Sequence, residues 1–211
     1  MKRSYDRSSR LAAAELTRRR IVEATVELHA ENGGVGTTHE MIARRAGVSL
    51  PTVYKYFPTR NDLIPHCTGA VIEAGPPPVT RAALEAIAGA PARIRALAQS
   101  TFAFYAHAAP WLRWSARDAL ELPALRDLLE ATAAERAELV RLAFAPRFTG
   151  APPKAPVALA TALLDFPTWQ TLTGAGFTGA QAVVVVSDAL VTLIESAARR
   201  PPRSNRKENL R

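Results

Sequence analysis

The sequence predicts an all-α fold of about nine helices in a chain of 211 residues. Apolar residues recur at three- and four-residue spacing through most of the chain, which is the period of a helix with one buried face. Glycine and proline residues separate these segments, as they do where helices begin and end. A chain of this size can bury a core without disulfides, and its single cysteine, Cys67, has no partner for one within the chain.

The first two helices have clear start and stop signals. Residues 11–32 place apolar side chains on one face and glutamates on the other, and Gly33 with Gly34 ends the helix. Thr37 or Thr38 caps the second helix, and Glu40 stands three residues after Thr37, as in a capping box. Both helices therefore belong to the N-terminal part of the chain.

Two further helices complete an N-terminal domain. Ser49 caps the third helix, and the fourth begins after Thr59 and fades at the triple proline of residues 76–78. This proline run predicts a boundary between a first domain, residues 11–74, and a second domain, residues 80–199.

The second domain is predicted from proline positions and apolar runs. Pro91, Pro110 and Pro123 each mark the first turn of a helix, where a backbone N–H is unpaired in any case. Residues 157–173 read as one helix bent at Pro167. Four consecutive valines favour a strand in residues 180–199, but the apolar pattern continues beyond them and a capping box precedes them, so a helix is preferred.

Positive charge is concentrated at the two ends of the chain, which has a formal net charge of +8. Residues 1–10 and 200–211 are basic and are predicted to be disordered, whereas the middle is slightly acidic. This distribution indicates a polyanionic partner for the ends, although charged tails that only solubilise the chain would look the same. No run of about 18 uninterrupted apolar residues and no signal peptide is present, so a cytoplasmic protein without a membrane segment is expected.

Residues 38–57, THEMIARRAGVSLPTVYKYF, form a helix-turn-helix pattern. Gly47 supplies the left-handed turn between the helices. On a helical wheel of the second helix, Val53, Tyr56 and Phe57 face inward, whereas Lys55 points away. A lysine flanked by hydroxyl groups suits a helix that enters the major groove, because base edges lie ahead of it and phosphates lie on both sides.

These residues resemble the N-terminal domain of the TetR family of bacterial transcriptional regulators. The resemblance rests on Gly36-Thr37-Thr38, Ile42-Ala43, Ala46-Gly47-Val48-Ser49, Pro51-Thr52-Val53-Tyr54, Tyr56-Phe57-Pro58 and Asp62-Leu63. It implies an all-α homodimer with a three-helix DNA-binding domain and a larger ligand-binding and dimerisation domain. It also implies a repressor that binds a pseudo-palindromic double-stranded DNA operator and is released by a small-molecule effector. The DNA-binding residues it implies are Thr38, Arg44, Ser49, Leu50, Pro51, Thr52, Tyr54, Lys55 and Arg60.

One residue departs from the family pattern. Many relatives have a basic residue at the position of Glu40, and phosphate would repel an acid there unless it accepted a hydrogen bond from a cytosine amine. Base reading from the second helix is therefore questionable, and a capping role for Glu40 is favoured.

The second domain carries the candidate effector site and dimer interface. Its aromatic residues at helical spacing are either core or the lining of a pocket for an apolar or aromatic ligand. The predicted ligand-binding residues are Phe102, Tyr105, Trp111, Trp114, Arg117, Asp118, Asp165 and Trp169. The predicted dimer interface is Leu163, Leu172, Val183, Val184, Val191 and Ile194.

Two other functions remain open at this point. One is a DNA-binding regulator without a small-molecule ligand. The other is a helical nucleotide-binding enzyme that uses the sequence GAGFTG, residues 174–179, although this motif follows a helical segment and is expected to be an interhelical turn. No catalytic constellation or metal-ligand cluster stands out, so neither an enzyme, a cofactor nor a metal is expected.

Overall fold

The computed structural model describes the backbone of residues 2–199 and the side chains of residues 8–199. These residues form ten α-helices and one turn of 3-10 helix, Ala145–Arg147, with no strand, which confirms the all-α prediction. The helices are α1 (Lys2–Asn32), α2 (His39–Ala46), α3 (Leu50–Tyr56), α4 (Arg60–Ala74), α5 (Arg81–Ala86), α6 (Ala90–Asp118), α7 (Pro123–Phe144), α8 (Lys154–Leu163), α9 (Phe166–Gly174) and α10 (Gly179–Arg199).

The chain divides into two compact units whose borders differ from the predicted domains. The first unit contains the residues up to Pro78 together with Ala103–Ala134, and the second contains Val79–Phe102 with the residues from Glu135 onward. The triple proline does fall at a border. The second border was not predicted, because α6 and α7 are long helices that each contribute to both units, and no glycine interrupts either of them.

A single apolar cluster holds α1 to α4 together in the first unit. Ile21 and Leu28 of α1, Ile42 of α2, Val53 of α3 and Leu63 of α4 are all buried in it. Burying side chains of this size stabilises the unit by about 1.5–3 kcal/mol each. The helix-turn-helix therefore packs on α1 and α4 through one continuous core.

The end of α6 binds the C-terminal half of α1. The indole Nε1 of Trp111 donates a hydrogen bond to the carbonyl oxygen of Val26 at 2.8 Å. Trp114 Nε1 and Arg113 Nη2 donate to the carbonyl oxygen of Ala30 at 3.2 Å and 2.6 Å. Carbonyl groups in the last turn of a helix lack intrahelical partners, so the side chains of α6 satisfy Ala30.

Asp118, the last residue of α6, holds the turn that follows α1. Its carboxylate is 1% exposed and accepts hydrogen bonds from the backbone N–H groups of Gly34 at 2.5 Å and Val35 at 3.3 Å. The guanidinium of Arg117 lies 2.7 Å from the other carboxylate oxygen. The buried negative charge is thus paired and hydrogen-bonded, as a buried charge must be.

Two predictions about helix ends differ from the structure, and a third cannot be compared with it. Helix α1 begins at Lys2, where residues 1–10 were expected to be disordered, because no glycine or proline occurs before Gly33 and the segment is rich in helix-forming residues. Pro110 lies inside α6 and starts no helix, since α6 continues to its contacts with α1. The predicted disordered tail, residues 200–211, lies outside the described residues.

Residues 157–173 form two helices, whereas one bent helix was expected. Helix α8 ends at Leu163, and Asp165 caps α9 by accepting a hydrogen bond from the backbone N–H of Phe166 at 2.8 Å. Pro167 then occupies the first turn of α9, where its missing N–H costs nothing. Proline therefore starts a helix here where a bend was predicted.

Helix α10 confirms the preference for a helix over a strand. Thr178 N donates to Gln181 Oε1 at 2.8 Å and Gln181 N donates to Thr178 Oγ1 at 3.2 Å, which is the predicted capping box. Within the described part of the chain, α10 has the length and apolar composition of a membrane-spanning helix. Core helices of soluble proteins share this property, so it is weak evidence for a membrane segment.

The burial of His29 predicts a pH dependence of stability. Burial lowers the pKa of His29 from 6.5 to about 4, and the nearby carboxylate of Asp118 opposes this shift. Between these values the unfolded chain binds a proton that the folded chain does not, so stability present above pH 6.5 is lost as the pH falls toward 4. The loss should approach about 3 kcal/mol.

Urea denaturation at several pH values measures this effect as the free energy of unfolding. The variant His29→Gln should have a flatter profile between pH 6.5 and 4 than the wild type. The control His66→Gln removes another histidine of the first unit and should keep the dependence, since His29 is intact. An unchanged profile in His29→Gln would show that another group causes the loss.

Candidate nucleic-acid interface

A left-handed glycine joins α2 to α3. Gly47 has φ of 63° and ψ of 40°, and the backbone N–H of Val48 donates to the carbonyl oxygen of Ala43 at 3.0 Å. Arg20 of α1 donates from Nη2 to the carbonyl oxygen of Ala46 at 2.5 Å, which adds a cation at the negative end of α2. The turn between the two helices is therefore fixed by its own backbone and by α1.

Helix α3 is capped at both ends and presents one face to solvent. Ser49 accepts a hydrogen bond from the backbone N–H of Thr52, and the two hydroxyl groups lie 2.7 Å apart. Val53 and Phe57 are buried at 0% and 1% exposure, as the helical wheel predicts. Tyr56 is only half-buried, and the ammonium of Lys55 lies 5.9 Å from the centre of its ring. Apolar burial on one face thus aims the opposite face outward.

The nine predicted DNA-binding residues are mostly accessible. Two of them, Leu50 and Thr52, are half-buried. The other seven are exposed, namely Thr38, Arg44, Ser49, Pro51, Tyr54, Lys55 and Arg60. All nine lie on α2, α3 and the turns at their ends or at the start of α4.

The basic residues near α3 differ in their availability. Arg45 is held by Glu27 and Glu31 of α1, with N to O distances of 3.0 Å, and these pairs raise its pKa further. Arg44 has no hydrogen bond or ion pair among the described residues. Arg60 donates from Nη1 to the carbonyl oxygen of Val35 at 2.9 Å and keeps its other N–H groups exposed. Arg44, Arg60 and Lys55 can therefore reach a phosphate.

The cap of α2 is Thr38, and the predicted capping box of Thr37 with Glu40 does not form. Thr38 Oγ1 accepts from the backbone N–H of Met41 at 3.3 Å, whereas Thr37 is buried and donates to the carbonyl oxygen of Gly33. A hydrogen bond from Thr38 is the main cause that lowers the pKa of Glu40, which remains fully exposed. Glu40 is thus an acid at the positive end of α2, where the helix dipole favours it.

One residue at this interface was not predicted at all. His39 is buried between α2 and α3 and contacts both Phe57 and Tyr54. The sequence offers only a weak signal for His39, namely its position directly after the residue that caps α2.

The predicted ligand-binding residues are divided between the two units. Tyr105, Trp111, Trp114, Arg117 and Asp118 belong to the first unit, and the polar groups of the last four bind α1 or its turn. Phe102, Asp165 and Trp169 belong to the second unit. There Asp165 caps α9 and accepts from Arg136 at 2.9 Å, while Trp169 stacks with Phe166.

The predicted dimer residues lie on two faces of their helices. Val184 is 43% exposed, and Leu163, Leu172, Val183 and Val191 are half-buried. Ile194 is 0% exposed within the protomer and belongs to its core, as does Leu190 four residues before it.

The sequence GAGFTG is an interhelical turn, as expected. Gly174 ends α9, Gly176 has φ of 91°, and Gly179 begins α10. No strand precedes it in the described chain, so it lacks the context of a dinucleotide-binding motif. Groups of three or more residues suited to hold a metal ion are also absent from the described residues.

A short helix with one exposed face, joined to the preceding helix by a left-handed glycine turn, is the geometry of a helix-turn-helix DNA-binding domain. Residues 21–67 match the family described as bacterial regulatory proteins, tetR family. The match covers the helix-turn-helix and parts of the helices on both sides of it, which confirms the resemblance seen in the sequence.

Solved structures of similar fold include transcriptional regulators. One is a tetR-family regulator from Streptomyces coelicolor, with 17% identity, a TM-score of 0.65, and coverage of 87% of this chain and 82% of that chain. A regulator from Rhodococcus sp. Rha1 has 16% identity and a TM-score of 0.64 over 87% and 99% of the chains. AibR in complex with isovaleryl coenzyme A and operator DNA has 15% identity and a TM-score of 0.60 over 82% and 97%. No curated protein sequence matches the chain.

Proposed function

We propose that the chain is a cytoplasmic, dimeric repressor that binds a pseudo-palindromic DNA operator and is released by a small apolar or aromatic ligand. The outward face of α3 carries this proposal, because Tyr54 and Lys55 are exposed beside a buried Val53. Lys55 would face the base edges in the major groove, and Tyr54, Arg44 and Arg60 would lie near phosphates. The exposure of these residues supports DNA binding, and the family of the first domain supports regulation.

A dimer is supported by apolar side chains left exposed on α10 and nearby. Phe177, Val184 and Val185 are 40%, 43% and 42% exposed, and they line a shallow groove of about 300 Å³. Adjacent exposed valines on one helix are costly to hydrate, so a second copy of the chain is the proposed cover. The two helix-turn-helix domains of such a dimer would then match the two halves of a palindrome.

A ligand site is proposed in the second unit, which contains both Phe102 and Trp169. Phe102 is 2% exposed, and Trp169 stacks with Phe166 with ring centres 5.6 Å apart. Arg136 and Asp165 form an ion pair beside Phe166 and would orient a polar part of a ligand. The structural similarity to AibR, whose complex contains both a ligand and operator DNA, is consistent with such a site.

The first test concerns the reading helix. A duplex is selected from a random pool by the wild-type protein, and affinities are measured by fluorescence anisotropy. Lys55→Ala combined with Tyr54→Ala should weaken specific binding by at least about a hundredfold, because base and phosphate contacts are lost together. Raising the salt concentration should weaken the wild type steeply, and Lys55→Ala should reduce the salt slope by about one.

A matched control removes an exposed cation elsewhere. Arg126→Ala changes the charge by the same amount as Lys55→Ala but lies on α7, so its affinity should stay at the wild-type level. Unchanged affinity in the Lys55 and Tyr54 double variant would exclude α3 as the reading helix.

The second test concerns the dimer. Val184→Asp should give monomers in sedimentation velocity, because the interface would bury an unpaired charge. Operator binding should be much weaker, because a monomer has one DNA-binding domain and loses the benefit of two linked sites. Ala189→Asp is the control, since it is exposed and lies about 140° around the same helix. If Val184→Asp remains dimeric, the interface lies on another face.

The third test concerns the ligand. A compound that binds only the folded chain at a hundred times its Kd should raise the melting temperature by about 5–10 °C. Apolar, aromatic and cationic compounds are screened, and a hit should quench tryptophan fluorescence in the wild type but not in Trp169→Phe. Trp111 and Trp114 of the first unit serve as the internal reference.

Two results would contradict the ligand proposal. Quenching that persists in Trp169→Phe would place the ligand away from this residue. A library without any hit, together with intact operator binding, would favour a DNA-binding regulator that has no small-molecule ligand.

A further inference from the structure

His39 connects the start of α2 to the end of α3. Its imidazole is 6% exposed, and Nε2 lies 2.8 Å from the carbonyl oxygen of Phe57, the residue that caps α3. Because a carbonyl oxygen only accepts, Nε2 carries the proton and donates it. The carbonyl group of a capping residue has no partner inside its helix, so His39 satisfies a group that would otherwise be buried and unpaired.

The same ring stacks on Tyr54. The two ring centres are 4.5 Å apart and the planes differ by 7°, which is the geometry of an offset stack. Tyr54 is 46% exposed, and among the described residues His39 is the only ring stacked on it. One face of the tyrosine is therefore covered by a buried side chain, while the hydroxyl edge remains free.

We propose that His39 is a positioning residue for DNA binding: it holds the ring of Tyr54 so that the phenol faces the DNA backbone before the operator arrives. The proposal rests on the proposed function, in which Tyr54 contacts phosphate. Immobilising an exposed side chain on binding costs about 0.5–1.5 kcal/mol. A ring that is already held avoids this cost, so loss of the stack should weaken operator binding by about three- to tenfold.

A purely structural role for His39 is the alternative, and three variants separate the two. His39→Phe keeps a ring against Tyr54 and loses the donor to Phe57. His39→Gln keeps a donor and loses the ring, and His39→Leu loses both. The variant Ile42→Val is the control for stability, because it trims a fully buried residue of α2 and leaves Tyr54 unchanged.

The free protein is tested first, by NMR with ring-labelled tyrosine. The Tyr54 signal is assigned from its loss in Tyr54→Phe. We expect a ring-current shift and cross-relaxation with His39 in the wild type, a similar shift in His39→Phe, and loss of the shift in His39→Gln and His39→Leu. If the Tyr54 signal is the same in all three variants as in the wild type, the proposal is overturned by a measurement that does not involve DNA.

Operator affinity is then measured for each variant in the wild-type and Tyr54→Ala backgrounds, on the duplex selected by the wild type. Circular dichroism corrects each value for the folded fraction. In the wild-type background, His39→Leu and His39→Gln should lower operator affinity by about three- to tenfold. The affinities of His39→Phe and Ile42→Val should stay within about twofold of the wild-type value. In the Tyr54→Ala background all four should match the Tyr54→Ala protein, because the residue that they position is gone.

The negative results are distinguishable. If His39→Leu lowers operator affinity equally in the wild-type and Tyr54→Ala backgrounds, the positioning role is overturned. The same follows if His39→Leu does not lower affinity in the wild-type background. Neither result contradicts DNA binding by the protein. Unchanged affinity in Tyr54→Ala removes the phosphate contact and the positioning role together. A wild-type protein that selects no duplex refutes the proposed function itself, and the positioning role with it.

Discussion

The buried carboxylate of Asp118 is the constraint on which the DNA-binding unit depends. It lies 84 residues after Gly34 in the chain and accepts the backbone N–H groups of the turn between α1 and α2. A Cβ atom at Gly33 would stand 2.6 Å from its Oδ2, and one at Gly34 would stand 2.9 Å from Leu122. The pair of glycines therefore serves two purposes: it ends α1, and it lets α6 approach the turn.

The positions of three helix ends follow from this turn. Thr37 donates to the carbonyl oxygen of Gly33 at 2.7 Å, which places Thr38 to cap α2. Arg60 donates to the carbonyl oxygen of Val35, which ties the start of α4 to the same segment. Since α3 follows α2 through the turn at Gly47, the hydrogen bonds around residues 33–38 and the shared apolar core together fix the direction of α3.

Local signals predicted the helix-turn-helix, whereas the contacts that hold it could not be predicted. These signals depend on residues within a few positions of each other. They are the cap of α4 by Thr59 and Asp62, the left-handed Gly47, and the placement of Val53 and Lys55 on opposite faces of α3. Trp111 and Asp118, by contrast, bind groups more than 80 residues away, and their types equally suit a ligand pocket. The inward face of Ile194 likewise depends on packing, because apolar residues surround most of α10 and its pattern alone does not single out a free face.

Helix α6 contributes residues to both compact units. It runs without a break from Ala90 in the second unit to Asp118 in the first, and its last two turns hold the carbonyl groups of α1 and the turn at Gly34. A helix transmits an axial shift or rotation better than a loop does, because its backbone hydrogen bonds resist stretching. Pro110 removes one of these bonds within α6. The turn of α6 around Pro110 therefore has fewer backbone hydrogen bonds than the turns beside it, and a bend of α6 would cost least there.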